Sequence, residues 1–248
     1  MIAKTLYGLE DLLAKELQEL GASSIEKGIR NVSFEGDTGF MYKANLCCRT
    51  AIKILKPIDY FNVFTEDDIY KKVYDIPWEN YMTSDGSLAV NATVFSEVFT
   101  HSQYIALKTK DAIVDRFRDR EGVRPDVDLD HPTLRINIHI DRNICTISLD
   151  SSGESLHKRG YKVSSALAPI NEVLAAGILM LSGWRGQCDF LDPMCGSGTF
   201  LTEAAMIACN IPANLNRDEF GFETWPDFDE DLYEIIESAN ISVYVNIL

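Results

Sequence analysis

The stretch from Phe190 to Thr199 combines an acidic residue with a Gly-x-Gly turn, and these residue types at this spacing suit the binding of a small molecule. The pattern predicts a short buried strand over residues 188–192, a turn over 193–197 and a helix rich in Ala, Leu and Met over 198–209. Such a succession presents backbone N–H groups at the end of a sheet, where a nucleotide-like ligand can approach a chain that lacks side chains.

The residues of this turn favour a ligand that carries no phosphate. A phosphate-binding P-loop needs a Gly-Lys-Ser/Thr sequence, which is missing, and a dinucleotide fingerprint needs Gly or Ala three residues after Gly198, where Leu201 stands. Asp192 closes the predicted strand directly before the turn and suits a cationic amino group. These features fit S-adenosylmethionine. The competing interpretation is a glycine turn that only caps a helix.

The densest basic run of the chain covers residues 155–162 and includes His157, Lys158 and Arg159. Such a run can contact the phosphates of a nucleic acid, and it can equally form an exposed linker. Composition alone leaves both interpretations open.

A second group of basic residues lies on a helix predicted over residues 103–120, and Lys108 and Lys110 belong to it. Four acidic residues are interleaved with the basic ones. Their presence favours an ordinary solvated helix face over an RNA-binding patch.

The elements around these residues form three successive groups. Leucines at i, i+3 and i+4 spacing predict a helix from Leu9 to Leu20 that ends at Gly21, and further strands and a helix complete a small α+β unit. From about residue 62 the pattern restarts, with helices over 66–74 and 103–120 and strands over 88–95, 134–140 and 144–149. A third unit begins after residue 155, with a helix opened by Pro169.

Composition narrows the class of protein. The net charge of −15 argues against binding nucleic acid by bulk electrostatics, but residues 217–237 hold nine acids against one base, so the rest of the chain is only mildly acidic. No apolar run is long enough for a membrane helix, and no signal peptide precedes the first unit. Six scattered cysteines without zinc-site spacing indicate reduced thiols and no metal. We therefore expect a cytoplasmic protein.

Residues 192–205, which read DPMCGSGTFLTEAA, resemble motif I of the THUMP-domain RNA methyltransferases, and specifically of the bacterial 23S rRNA guanine-N2 methyltransferases. The resemblance covers nearly the whole chain. Flanking segments are similar in order and spacing: 99–103 (FTHSQ), 108–113 (KTKDAI), 156–161 (LHKRGY), 171–176 (NEVLAA) and 221–225 (GFETW).

This resemblance implies a fold and a set of site residues. The implied fold is α+β followed by α/β: a ferredoxin-like domain over residues 1–60, an RNA-binding THUMP domain over 43–154 and the start of a class I, Rossmann-like methyltransferase domain over 165–248. The implied partner is RNA, contacted by Lys108, Lys110, His157, Lys158 and Arg159, the last three being contacts either to RNA or between domains. The residues implied to line the methionine end of S-adenosylmethionine are Ala168, Pro169, Asp192, Pro193, Cys195, Gly196, Ser197 and Gly198.

Two features that the resemblance implies are missing from these 248 residues. The chain stops within an expected second strand over residues 241–248, before the acid that would hold the cofactor ribose, and it contains no Asn/Asp-Pro-Pro-Tyr motif to orient the target amino group. We therefore predict no catalytic residue in this polypeptide and negligible activity from it alone, because methyl transfer depends on positioning. The alternatives are a non-catalytic THUMP-type RNA-binding module and a methyltransferase of proteins or small molecules.

Overall fold

The computed structural model describes residues 1–162 and 169–245, and the chain within it divides into two compact units. Unit 1 comprises Met1–Ile54, Glu154–Phe220 and Asp229–Leu248, and unit 2 comprises Leu55–Gly153 and Gly221–Phe228. The N-terminal segment thus shares a unit with the segment that carries the glycine turn.

The N-terminal part of unit 1 is a small α+β fold. Its elements are β1 (Ile2–Thr5), α1 (Glu10–Leu20), β2 (Ser23–Lys27), β3 (Asn31–Glu35), α2 (Thr38–Cys47) and the start of β4 (Ala51–Asn62), with strands in the order β2-β3-β1-β4. The leucine spacing predicted α1 correctly: Leu13 and Leu17 are buried, and Gly21 ends the helix in the left-handed conformation. The strand and helix predicted after Gly21 are also confirmed, as β3 and α2.

Unit 2 places two helices against a five-stranded mixed sheet. Its elements are the rest of β4, α3 (Glu66–Asp75), β5 (Ser87–Phe95), α4 (Ser102–Glu121), β6 (Asp126–Val127), β7 (Leu134–Asp141) and β8 (Ile144–Asp150), in the sheet order β4-β8-β7-β5-β6. Strand β7 pairs antiparallel with β8 and parallel with β5. Buried and half-buried residues alternate along β7, so one face of the sheet is buried; α4 packs against β5 of this sheet, and α3 packs against α4. The helices and strands predicted from periodicity are confirmed here.

The C-terminal part of unit 1 contains α5 (Glu172–Leu181), α6 (Thr199–Ala208) and α7 (Glu230–Val245). Helix α5 begins three residues later than the helix expected to open at Pro169, because the side chain of Asn171 accepts a hydrogen bond from the Leu174 N–H and caps the helix. Helix α6 matches the prediction closely.

Two strand predictions in this part of the chain are wrong. Residues 188–192 form no strand, and Leu191 is 84% exposed, although the pattern predicted a buried strand. An isolated strand leaves its N–H and C=O groups unpaired, and no ladder of hydrogen bonds joins this segment to another strand within the described residues. Residues 241–245 continue helix α7 and do not form the expected second strand, since local β propensity is a weak determinant beside an existing helix.

Candidate functional site

The glycine turn leads directly into helix α6. Gly196 and Gly198 have φ values of 55° and 75°, in the left-handed region that glycine adopts without strain, and Gly198 forms the N-cap of the helix. The Gly198 N–H donates to the Cys195 carbonyl at 2.8 Å, and the Met194 N–H donates to the Asp192 carboxylate at 3.1 Å. The turn is therefore defined by its own hydrogen bonds.

This turn is open to a ligand. Among the described residues, a Cβ atom added to Gly196 or Gly198 would meet nothing within 4 Å, and Met194 is 91% exposed. The N–H groups of the first turn of α6 have no partner within the helix and point out of its N-terminus, where partial positive charge accumulates. A compact polar ligand can thus contact backbone groups here without displacing a side chain.

The structure gathers six of the eight predicted cofactor residues in this one turn: Asp192, Pro193, Cys195, Gly196, Ser197 and Gly198. Pro169 is exposed and precedes α5, in a different part of the chain. Ala168 lies outside the described residues. The prediction for Pro169 and Ala168 therefore remains an expectation.

A buried polar cluster that sequence reasoning did not identify lies along α6. Glu203 and Arg159 have fully buried side chains, and Arg159 Nε lies 3.4 Å from Glu203 Oε1. The Tyr161 hydroxyl donates to the same carboxylate oxygen at 3.0 Å, and burial followed by the Glu203 charge raises the pKa of Tyr161. The available signal was an acidic residue within an otherwise apolar helix, because a buried carboxylate requires a partner.

Arg159, predicted to contact RNA or a neighbouring domain, therefore has its guanidinium inside the protein, where only 1% of the residue is exposed. Its Nη2 donates to the Arg49 carbonyl at 2.5 Å and its Nη1 to Asn214 Oδ1 at 3.0 Å. These contacts join Arg159 to the N-terminal segment of unit 1, to which Arg49 belongs.

The neighbouring basic residues are nearer the surface. Lys158 forms an ion pair with Glu154 at 2.6 Å, and half-buried His157 shares a hydrogen bond with Ser155, with its pKa lowered mainly by burial. Both positions are thus engaged locally, but their side chains lie within reach of an approaching polyanion.

The two lysines of α4 also have acidic neighbours. Lys108 pairs with Asp67 at 3.1 Å and lies 5.5 Å from the centre of the Tyr70 ring. Lys110 pairs with Asp111 at 2.6 Å. An RNA phosphate would have to compete with these carboxylates.

The cysteines are free thiols that differ in environment. Cys48 and Cys145 are buried, and burial raises the pKa of Cys145 to about 12, whereas Cys188, Cys195 and Cys209 are exposed. Within the described ranges, no group of three or more His, Cys, Asp or Glu side chains is placed to hold a metal ion. In the same ranges, no helix combines the length and apolar character needed to cross a bilayer.

The fold and the turn define a class of protein in which a ferredoxin-like domain and a THUMP domain precede a class I methyltransferase fold. Three family models match in this order: the RlmL ferredoxin-like domain over residues 1–55, the THUMP domain over 64–150 and the RMKL-like methyltransferase domain over 159–247. These three matches confirm the predicted resemblance and the predicted fold class.

Curated relatives agree with this assignment. The chain is 43% identical over 238 residues to the ribosomal RNA large subunit methyltransferase K/L of Syntrophotalea carbinolica and 45% identical over 231 residues to that of Cellvibrio japonicus, covering 94% and 91% of this chain. It spans only 33% and 31% of those two proteins. A putative RNA methyltransferase of Synechocystis sp. is 41% identical over 93% of the chain, which spans 60% of that protein.

Solved structures show the same fold. A predicted N6-adenine-specific DNA methylase from Listeria monocytogenes superposes with a TM-score of 0.86 at 30% identity, covering 98% of this chain and 63% of the other. SMU.472, a putative methyltransferase complexed with SAH, superposes with a TM-score of 0.85 at 32% identity, covering 98% of this chain and 64% of the other.

Proposed function

We propose that this chain is the RNA-binding and cofactor-binding part of an S-adenosylmethionine-dependent RNA methyltransferase that acts on large-subunit, 23S ribosomal RNA in the cytoplasm. The observation that carries the proposal is the open Gly-x-Gly turn behind Asp192, at the N-terminus of a helix in a chain matched by an RMKL-like methyltransferase model. We assign residues 1–60 to a ferredoxin-like domain, 43–154 to a THUMP domain and 165–248 to the methyltransferase domain.

The residues of the turn fit the methionine end of this cofactor. The backbone is exposed here, and within residues 1–162 and 169–245 no atom lies near the Cβ positions of Gly196 and Gly198. A carboxylate can therefore approach the N–H groups closely. The Asp192 carboxylate can accept a charge-assisted hydrogen bond from a cationic amino group. When bound, S-adenosylmethionine supplies an electrophilic methyl group on a sulfonium. The role of the chain is to orient that ligand.

Nuclear magnetic resonance tests this site because it detects weak binding. We expect S-adenosylmethionine to shift the amide signals of Gly196, Ser197 and Gly198 in the 248-residue chain. Asp192→Asn should weaken the apparent affinity about tenfold, equivalent to about 1.4 kcal/mol, by removing one charge-assisted hydrogen bond. Asp189→Asn, an exposed carboxylate three residues upstream, serves as the matched control. Unshifted turn amides, or equal effects of the two variants, would contradict the proposal.

The acceptor atom is proposed to be guanine N2, on the strength of the motif resemblance. The name of the Listeria neighbour makes adenine N6 the competing acceptor. A polypeptide extended to the length of the curated relatives should methylate 23S rRNA, and mass spectrometry of the digested nucleosides should detect N2-methylguanosine. N6-methyladenosine in its place would refute the guanine assignment. The 248-residue polypeptide is predicted to give negligible product, because it contains no Asn-Pro-Pro-Tyr motif.

A second candidate function is that of an RNA-binding module without catalysis, and the THUMP match over residues 64–150 favours it. The proposed RNA contacts are Lys108, Lys110, His157 and Lys158, each near the surface. A module of this kind would bind RNA and leave the turn amides unaffected by S-adenosylmethionine.

A further inference from the structure

Helix α6 is held at its C-terminal end by the N-terminal segment of unit 1. Arg49 follows α2, and its Nη2 donates to the Met206 carbonyl at 3.2 Å and to the Ile211 carbonyl at 2.5 Å. Unpaired carbonyls at a helix C-terminus carry partial negative charge, so a guanidinium there is stabilising. The last turn of α6 is thereby fixed to a residue that lies 157 positions earlier in the chain.

The middle of α6 is fixed by the buried pair of Glu203 and Arg159. Arg159 also donates to the Arg49 carbonyl, so one guanidinium bridges the helix and the loop that supplies the C-terminal contact. Removing one partner of a buried ion pair leaves the other charge buried and unpaired, which is strongly destabilising. The pair therefore ties the middle of α6 to Arg159.

Asn214, which follows α6 in the chain, also contacts the end of α2. Its Nδ2 donates to the Asn45 carbonyl at 2.7 Å, its N–H to the Leu46 carbonyl at 3.0 Å, and its Oδ1 accepts from Arg159. The end of α2 and the residues directly after it are thus contacted by Arg159, which precedes α5, and by Asn214, which follows α6.

By contrast, at the other end of α6 no atom of the described part of the chain lies within 4 Å of a Cβ position at Gly196 or Gly198. A helix is stiff, so contacts that fix its middle and last turn also fix the direction of its first N–H groups. We propose that Arg49, Arg159 and Glu203 are positioning residues through which the N-terminal domain holds the cofactor turn in its binding geometry. This inference rests on the proposed function of the turn.

Hydrogen exchange measured on the full 248-residue chain tests the coupling without any cofactor. Arg159→Lys keeps the charge but loses the forked contacts to Arg49 and Asn214. We expect amide exchange in peptides covering residues 190–200 to accelerate about fivefold or more, and the apparent affinity for S-adenosylmethionine to fall by a similar factor. Lys15→Gln removes an exposed cation on α1 that is paired with Glu19, and it should leave both quantities at the wild-type level.

Circular dichroism confirms that each variant is folded at the assay temperature. If Arg159→Lys does not fold, Tyr161→Phe takes its place, since it removes one donor to Glu203 and keeps the ring; about a twofold acceleration is then expected. Wild-type exchange over residues 190–200 in a folded variant would overturn the coupling. If the cofactor shifts no signal in the wild-type chain, the proposed function fails, and the exchange comparison still decides the coupling separately.

Discussion

At the scale of single residues, Cys195 offers a direct probe of the turn. Three thiols are exposed, Cys188, Cys195 and Cys209, and only Cys195 lies between the two ligand-facing features, Asp192 and Gly196. A ligand over the turn would cover its sulfur, whereas the other two thiols lie outside the proposed contact.

We predict that saturating S-adenosylmethionine slows alkylation of Cys195 by iodoacetamide about fivefold or more, as expected when bound ligand shields an otherwise reactive thiol. Peptide mass spectrometry reads all three sites in one sample, so Cys188 and Cys209 act as internal controls. Equal protection of all three thiols would indicate a global change in the protein, and no protection would place the ligand elsewhere.

Two adjacent basic residues have different environments. Lys158 and Arg159 are neighbours in a basic run, but Lys158 reaches an exposed carboxylate whereas Arg159 is buried against Glu203. From residue type alone, both were candidates for contacting RNA. Exposed Lys158 remains a candidate, whereas buried Arg159 has a structural role.

At the scale of elements, the connection before α5 is packed backbone to backbone against the segment after α6. Gly160 has a φ of 85°, and a Cβ atom there would lie 1.8 Å from the Asn216 carbonyl oxygen. Arg217 reinforces the contact by donating to the Lys158 carbonyl at 2.6 Å. No side chain fits at position 160.

Gly160→Ala should therefore destabilise unit 1 by about 3–5 kcal/mol, combining backbone strain with overpacking. Gly183→Ala is the matched control: its φ of 77° is similar, but a Cβ there meets nothing within 4 Å, so about 1 kcal/mol is expected. Chemical denaturation of both variants measures the difference. Similar losses would show that the close contact at Gly160 has little energetic weight.

At the scale of the whole molecule, a net charge of −15 limits how RNA can be held. Lys108, Lys110 and Lys158 each have a carboxylate partner, so few phosphates can be neutralised at once. Recognition would then depend on shape and hydrogen bonds more than on charge.

Filter binding of 23S rRNA fragments between 50 and 200 mM salt should accordingly give a shallow dependence, with a slope of about −2 to −3 in log affinity against log salt. Lys158→Gln should reduce that slope by about one, and Lys15→Gln, which removes a cation paired with Glu19 on α1, should not. Absence of binding at low salt would exclude an RNA-binding role for this chain.

Sequence periodicity alone predicted most of the architecture, because local propensity and burial agree in those elements. Helices α1, α3, α4 and α6 and strands β5, β7 and β8 were predicted from the sequence pattern, whereas the two-residue strand β6 was not; glycines at positions 196 and 198 predicted the turn. A turn depends on the conformations of adjacent residues, which the sequence specifies directly.

Tertiary structure decided what depends on distant partners. Residues 188–192 have the composition of a strand but lack a neighbouring strand within the described chain, and residues 241–245 continue a helix that precedes them. The pairing of Arg159 with Glu203, 44 residues away, and its contact with Arg49, 110 residues away, have no signature in residue spacing. Sequence thus pointed to the segment proposed to bind the cofactor, and only three-dimensional packing revealed the buried residues that contact the helix after it.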